Sequence, residues 1–385
     1  MTFSTFKTAN KLITGQDALD YLTTALAKFK INKALIVTDQ GVVKSGTIQH
    51  VLERLEINYA IYDHVKPEPE IAQVQACIAS YHEQQCDGVL AVGGGSALDI
   101  AKCVAALANQ SGVVEDFIGV DKIQHRDIAL IVIPTTAGTG SEVTNIAILS
   151  DTQKQMKQGI VSDCLLPDVA IVSPIMSVSC PPAVTAASGV DALVHAIEAY
   201  ISVNRSDITD ALAIQAIEMI VEYLPQAYAL PNHLIAREKM ATASLMAGLA
   251  FGNAGVGAVH ALAYPLGGKY KMAHGVSNAL MLPYVLKWNV LGCAERLSEI
   301  AKRLHLAQGN HHMLNAEKLV EFLHQFCRQL NIPSGLQHFG ILEEDLAGLA
   351  AEAIKVERLL KNNPRQFTVH EIESIYKEAY VSRER

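Results

Sequence analysis

The chain reads as two domains, an α/β domain built on a parallel sheet over residues 1–180 and an all-α domain over residues 181–385. Three observations predict this. Short apolar, β-branched runs alternate with amphipathic stretches throughout the first part. The double proline Pro181-Pro182 then interrupts the pattern, and beyond it apolar residues recur at helical period with no strand signal of comparable strength. Finally, 385 residues exceed one ordinary core, and a chain with 50% hydrophobic and 18% charged residues can bury two.

Taken in order, Ala34-Leu35-Ile36-Val37-Thr38 is the first strand run, followed by Asp39-Gln40-Gly41 and an amphipathic stretch to Leu55. Tyr59 to Asp63 repeats the strand signal, and Pro69 to His82 the helical one. Val89 to Val92 and Ala129 to Ile133 read as two more buried strands. Strands alternating with helices at this spacing imply a parallel, Rossmann-like sheet covered on both faces. In the second part Pro225, Pro231, Pro265, Pro283, Pro333 and Pro364 read as helix punctuation. The tail Val381 to Arg385 is expected to fray.

A formal net charge of −8, with no dense Lys/Arg stripe, argues against a nucleic-acid partner and for small-molecule ligands. Met1 to Lys7 lacks the apolar core of a signal peptide, and no uninterrupted apolar segment is long enough to span a bilayer. A cytoplasmic location without membrane attachment is expected. The seven cysteines are scattered and include no C-x-x-C pair, which fits reduced thiols filling apolar interior. None is assigned to catalysis.

Directly after the strand ending at Val92 comes Gly93-Gly94-Gly95-Ser96-Ala97-Leu98-Asp99-Ile100-Ala101-Lys102. Glycines let the backbone approach a ligand, and Ser96 and Asp99 have the spacing of a helix N-cap and its third residue. A helix start behind a glycine turn offers free N–H groups and a positive dipole end, the requirement for holding a pyrophosphate. This is not G-x-G-x-x-G, and a plain connecting turn is the competing reading. A second loop, Pro134-Thr135-Thr136-Ala137-Gly138-Thr139-Gly140-Ser141-Glu142-Val143-Thr144, follows the next strand and makes a donor-rich crevice with the first. Asp39 ends the first strand run, where it either accepts from an adenosine ribose, favouring NAD over NADP, or caps the following helix.

The most specific chemistry lies between Val190 and His274. If Val190 to Glu198 is helical, Asp191 and His195 stand at i and i+4 on one face. His260 ends a Gly- and Ala-rich run from Ala247 that reads as helices meeting closely. Pro265, Gly267 and Gly268 are expected to break the chain before His274, which opens a new helix at Ala273-His274-Gly275. One carboxylate and three imidazoles suit a first-row cation such as Fe²⁺ or Zn²⁺ with a position left for substrate, although the spacing alone more often marks a helix-surface pair. Glu198, on nearly the same face, is either an acceptor orienting a ligand or a surface carboxylate. Phe251 is either a wall of a substrate pocket or a core aromatic.

Together the glycine cradle, the Thr-rich loop and the Asp/His/His/His set resemble the iron-containing (group III) alcohol dehydrogenases, over roughly residues 12 to 290 and more weakly beyond. The resemblance implies a dinucleotide-binding α/β domain, an all-helical metal domain, and a cleft where nicotinamide meets the metal. It implies Asp191, His195, His260 and His274 as ligands of Fe²⁺ or sometimes Zn²⁺. Asp39, Gly94, Gly95, Ser96, Thr135, Thr136, Thr139, Thr144 and Lys157 would line the NAD site. The implied reaction is hydride transfer between nicotinamide C4 and a small primary alcohol or aldehyde, with the metal as Lewis acid, in a homodimer joined partly through the N-terminal strand.

There are departures from the family pattern. Tyr264 stands where many members carry a proton-shuttling His, Ser173-Pro174 where Asp-Pro is usual, and Glu68 where Asn is common. A phenol with pKa near ~10 suits a hydrogen-bond relay better than a free base. Competing readings on the same scaffold are a hydroxyacid-oxoacid transhydrogenase, a metal-free reductase, a lyase of the dehydroquinate synthase type, and a non-catalytic nucleotide sensor.

Overall fold

The structure, a computed structural model, describes residues 4–152 and 156–381. The expected fraying of the tail therefore falls mostly on residues outside the described ones, as do the first three residues of the N-terminal stretch. The strands are β1 (Leu12–Thr14), β2 (Lys33–Val37), β3 (Asn58–Tyr62), β4 (Gly88–Gly93), β5 (Gly119–Val120), β6 (Ala129–Pro134), β7 (Ile146–Asp151), β8 (Met156–Val161) and β9 (Val169–Val172). Helices α1 (Tyr21–Lys28), α2 (Gln40–Lys44), α3 (Gln49–Leu52), α4 (Ile71–Glu83) and α5 (Gly95–Leu107) lie among them. After Pro181 come α6 (Pro182–Ile201), α7 (Asp207–Ala229), α8 (Leu234–Ala254), α9 (Ala258–Tyr270), α10 (His274–Arg303), α11 (His312–Gln329), α12 (Leu346–Ala353), α13 (Glu357–Leu360) and α14 (Val369–Tyr380).

Six strands form one all-parallel sheet in the order β1-β9-β6-β4-β2-β3. The apolar runs are continuous because both faces are buried. Leu35, Val89 and Leu130 pack with Val74 of α4 and Leu98 of α5 on one side, while Ile36, Leu90 and Ile131 pack with Leu22 and Leu26 of α1 on the other. Without β1 the order is the doubly wound 2-1-3-4-5, whose reversal falls between β2 and β4. Ligands bind at such a reversal, outside the carboxyl ends of the strands, and there Asp39 and Gly93 to Gly95 stand.

Several local expectations are corrected. Leu12–Thr14 makes an edge strand ahead of Ala34, and Val169–Val172 adds another beside β6. A second, three-stranded sheet, β5-β8-β7, was not anticipated. The stretch after Asp39 is not one helix, because Gly46 at φ 76° turns the chain between α2 and α3. Pro225, Pro265 and Pro283 lie inside α7, α9 and α10 rather than between helices. Each forfeits one hydrogen bond, and the fully buried neighbours Leu224, Leu266 and Leu282 hold the helix through it. Gly267 and Gly268 also lie within α9, and the break before His274 comes at Lys271, in the left-handed region at φ 55°. Pro231, Pro333 and Pro364 do lie between helices. Among the described residues no single helix is long and apolar enough to cross a membrane.

Candidate active site

The first half of the site is the crevice above β2, β4 and β6. Gly94 is the N-cap of α5 in extended conformation, so Ser96 is a residue inside the helix and not its cap. The capping pair expected of Ser96 and Asp99 is absent. The Ser96 hydroxyl donates to the Pro67 carbonyl at 2.6 Å, and the Asp99 carboxylate accepts from Ser141 Oγ at 2.6 Å and Ile148 N at 2.9 Å. The cause is the glycine turn, which lets the helix begin two residues early and rotates Asp99 toward the Thr-rich loop. A Cβ at Gly95 would sit 2.6 Å from Thr139, so loop and helix start are in direct contact. Asp39 caps α2 with Oδ1, accepting from Gly41 N at 2.8 Å and Val42 N at 3.1 Å, while Oδ2 faces Gly93.

Beneath the loop lies a lysine that sequence reasoning left unassigned. Lys102 is fully buried, and its ammonium donates to Ser141 Oγ at 2.7 Å, Thr144 Oγ1 at 3.0 Å and the Ile146 carbonyl at 3.1 Å. Burial lowers the Lys102 pKa against the pull of Asp99 and Glu142, and burial raises those two carboxyls, Glu142 to about 7. Thr144 thus braces the loop from within. The loop's other face meets the helical half, where Gly140, at φ 59°, crosses Gly248 of α8 so closely that a Cβ on it would fall 2.4 Å from the Gly248 Cα.

Asp191, His195 and Glu198 share one buried face of α6, His260 is in the first turn of α9, and His274 opens α10. One ligating atom from each of Asp191, His195, His260 and His274 lies within 4.8 Å of the others. Glu198 resolves as an orienting carboxylate, with Oε2 2.6 Å from His260 Nδ1 and Oε1 accepting from Val259 N at 2.6 Å. His195 Nδ1 donates to the Gly138 carbonyl at 3.2 Å. These bonds put the proton of both imidazoles on Nδ1 and leave two Nε2 lone pairs facing each other at 3.0 Å. Such a contact is repulsive between neutral rings and becomes favourable with a cation bound between them, so the donor set fits a divalent metal.

Electrostatics agree with that fit. Burial lowers the His195 pKa to about 4, and burial, with Lys157 nearby, lowers that of His274 to about 3, so both rings are neutral ligands at physiological pH. Burial would raise the Asp191 carboxyl, but the three imidazoles and the Asn278 amide, 2.7 Å from Oδ1, hold it below the ordinary range. Asn278 was missed by the sequence reading, although it follows His274 at i+4, the same spacing that marked Asp191 and His195. Phe251 stacks on His195 with centroids 4.2 Å apart and planes at 15°, which makes it a wall of the metal centre.

Tyr264 stands one turn beyond His260 on α9, and burial raises its phenol pKa against the opposing pull of Arg358. Lys157 of β8 pairs with Glu68 at 2.7 Å and lies 5.9 Å from the Tyr264 ring centre. The sheet crevice and the metal cluster are therefore joined by one loop: Thr139 touches the α5 start, and Gly138 holds His195.

A doubly wound sheet with a glycine cradle, joined to a helical half with an Asp/His/His/His cluster, defines a metal-binding oxidoreductase. The family model "Iron-containing alcohol dehydrogenase" matches residues 9–174, and "Fe-containing alcohol dehydrogenase family, C-terminal" matches residues 185–380. The chain belongs to the iron-containing alcohol dehydrogenase family. It is 42% identical over 378 residues to long-chain-alcohol dehydrogenase 1 of Geobacillus thermodenitrificans, covering 95% of this chain and 94% of that protein. It is 36% identical over 371 residues to the NAD-dependent methanol dehydrogenase of Bacillus methanolicus, covering 95% and 97%. The crystal structure of a 1,3-propanediol oxidoreductase superposes with a TM-score of 0.95 at 37% identity, covering 98% of this chain and 100% of that one.

Proposed function

We propose that this alcohol dehydrogenase transfers a hydride between NAD and a small primary alcohol or aldehyde, with Fe²⁺ or Zn²⁺ held by Asp191, His195, His260 and His274. The observation that carries this reading is the pair of Nε2 lone pairs facing each other at 3.0 Å, held there by Glu198 and Gly138. When bound, the cation supplies Lewis-acid polarisation of the substrate oxygen and NAD supplies the hydride acceptor. The chain's part is positioning. Asp39 Oδ2 offers an acceptor for ribose hydroxyls, disfavouring a 2′-phosphate, and the start of α5 offers N–H donors for a pyrophosphate. At Gly94 the nearest side chain to a would-be Cβ is Thr136 at 3.5 Å, so packing does not demand glycine there and close approach of a ligand does. Gly95, Ser96, Thr135, Thr136, Thr139 and Lys157 are the further residues this reading assigns to the NAD site, on the family resemblance. The methanol dehydrogenase relative is NAD-dependent, which supports NAD here.

The test is anaerobic purification with elemental analysis, followed by NAD⁺ and NADH assays before and after chelation. About one Fe or Zn per chain is expected, with activity lost on chelation and restored by metal; undiminished turnover by metal-free protein overturns the reading. Tyr264→Phe is expected to lower kcat, since burial keeps the phenol protonated through the neutral range one turn from His260, where it can serve as a relay. Unchanged kcat with an unchanged pH profile removes Tyr264 from the proton route. A cytoplasmic homodimer is part of the same proposal, supported by the free cysteines and by β1 standing at a sheet edge. Sedimentation equilibrium at a single-chain mass overturns the dimer.

A further inference from the structure

The His274 imidazole is held differently from the other two. His195 and His260 each have an acceptor on Nδ1, the Gly138 carbonyl and the Glu198 carboxylate. The hydrogen bond made to the His274 ring is instead at Nε2, 3.2 Å from the Asn278 Nδ2 atom. His274 is also the least covered member of the cluster, with 31% of its side chain exposed against 2% for Asp191 and 3% for His260. It is the first residue of α10, so packing constrains its ring least.

Asn278 lies one turn further along α10 and is fully buried. Its Nδ2 atom also stands 2.7 Å from Asp191 Oδ1. The carboxylate decides which way the amide faces: turned over, the amide would set its oxygen against a negatively charged one at that distance. Nδ2 therefore faces both ligands and can only donate, one N–H to Asp191 Oδ1 and the other to His274 Nε2. An imidazole nitrogen that accepts carries no proton, so the His274 proton is on Nδ1 and Nε2 keeps its lone pair, as in His195 and His260. His274 Nε2 is 3.9 Å from Asp191 Oδ2, the carboxylate oxygen that Asn278 leaves alone. Packing by itself would not choose this arrangement. Among the described residues the Asn278 Oδ1 atom, at the other end of the amide, is buried with no hydrogen-bond partner, and such a group persists where something else fixes it.

We propose that Asn278 is a positioning residue for the metal: it ties His274 to Asp191, holds the His274 tautomer with an unprotonated Nε2, and so prepares the ligand that packing constrains least. This rests on the reading of the Asp191/His195/His260/His274 cluster as a metal centre. Asn278 does for His274 what Glu198 does for His260 and Gly138 for His195, but through the ligating nitrogen. On metal binding His274 exchanges the amide N–H for the cation, and Asn278 keeps its bond to Asp191. The bond given up is to a neutral nitrogen and the bond kept is to a carboxylate, so removing Asn278 weakens the site on balance.

The experiment uses the full chain, metal-free, as wild type, Asn278→Leu, which keeps the branched shape without donors, and Asn278→Ser, which adds no bulk and covers a folding defect in the first. Circular dichroism checks the fold. Zn²⁺ affinity, measured by competition with a chelator, is expected to fall about 10–100-fold in both variants. Nuclear magnetic resonance of isotope-labelled histidine rings at neutral pH is expected to show His274 protonated on Nδ1 in the wild type. That tautomer is expected to be lost in both variants, while His260 keeps its own. His274 protonated on Nε2 in the wild type overturns the proposal without any variant. Unchanged Zn²⁺ affinity in the variants also overturns it, as does weaker binding with the His274 tautomer unchanged, which would make Asn278 a packing residue only. Wild-type protein that binds no Zn²⁺ at all overturns the metal reading itself, and the proposal with it.

Discussion

His260→Ala is expected to yield folded protein that retains almost no metal and loses activity by more than about 10²-fold. Loss of a residue that merely orients a ligand typically costs 10–100-fold in metal affinity or activity, and His260 is argued to be a ligand itself. Its removal also strands Glu198, whose Oε2 loses the Nδ1 partner at 2.6 Å while Oε1 keeps Val259 N. Glu198→Gln separates the two effects. A glutamine amide facing Nδ1 donates to it, which moves the imidazole proton to Nε2 and blocks the ligating atom. The expected loss of metal affinity is about 10–100-fold, with the fold retained. Metal content after dialysis against a graded chelator, alongside circular dichroism, measures both variants. Full metal retention in His260→Ala would remove this histidine from the ligand set.

How far the site was legible follows from what kind of signal each residue left. Asp191 and His195 announced themselves by an i, i+4 spacing, and that regularity survives folding because α6 is straight and continuous across them. Asn278 carried the same spacing from His274 and was overlooked because an amide is not a usual first-row ligand. The central strands β2, β4 and β6 were legible because burial on both faces leaves an unbroken apolar run. The β7–β8 hairpin was not, since Met156–Val161 alternates only weakly between exposed and covered positions. Pro265 misled because its helix-breaking cost, about 3 kcal/mol, is small against the burial of the leucines and alanines around it in α9.

Lys102 is the strongest case of information that only tertiary structure supplies, and Lys102→Met is expected to destabilise the protein by about 3–5 kcal/mol. In sequence it is one more lysine near the middle of an amphipathic helix, where a solvated charge is the ordinary reading. In the structure its three protons are taken by Ser141, Thr144 and Ile146, and Asp99 lies 3.9 Å away. Methionine fills nearly the same volume, so little cavity arises and the cost is electrostatic: a largely buried carboxyl without its cation, and three acceptors without a donor. A fall in Tm of roughly 5–15 °C follows from such a loss. The consequence reaches further than stability, because the loop that Lys102 anchors carries Thr139 to the α5 start and Gly138 to His195. Loosening it removes the acceptor that fixes the His195 tautomer and the contact that shapes the crevice. Lys102→Met is therefore expected to weaken metal retention as well, although Lys102 touches no ligand. Asp99→Asn, which keeps the Lys102 bonds to the loop, is expected to lower Tm less and to leave metal retention closer to wild type. Equal metal retention in Lys102→Met and the wild type would show that His195 is held by α6 alone and that the two halves of the site are set independently.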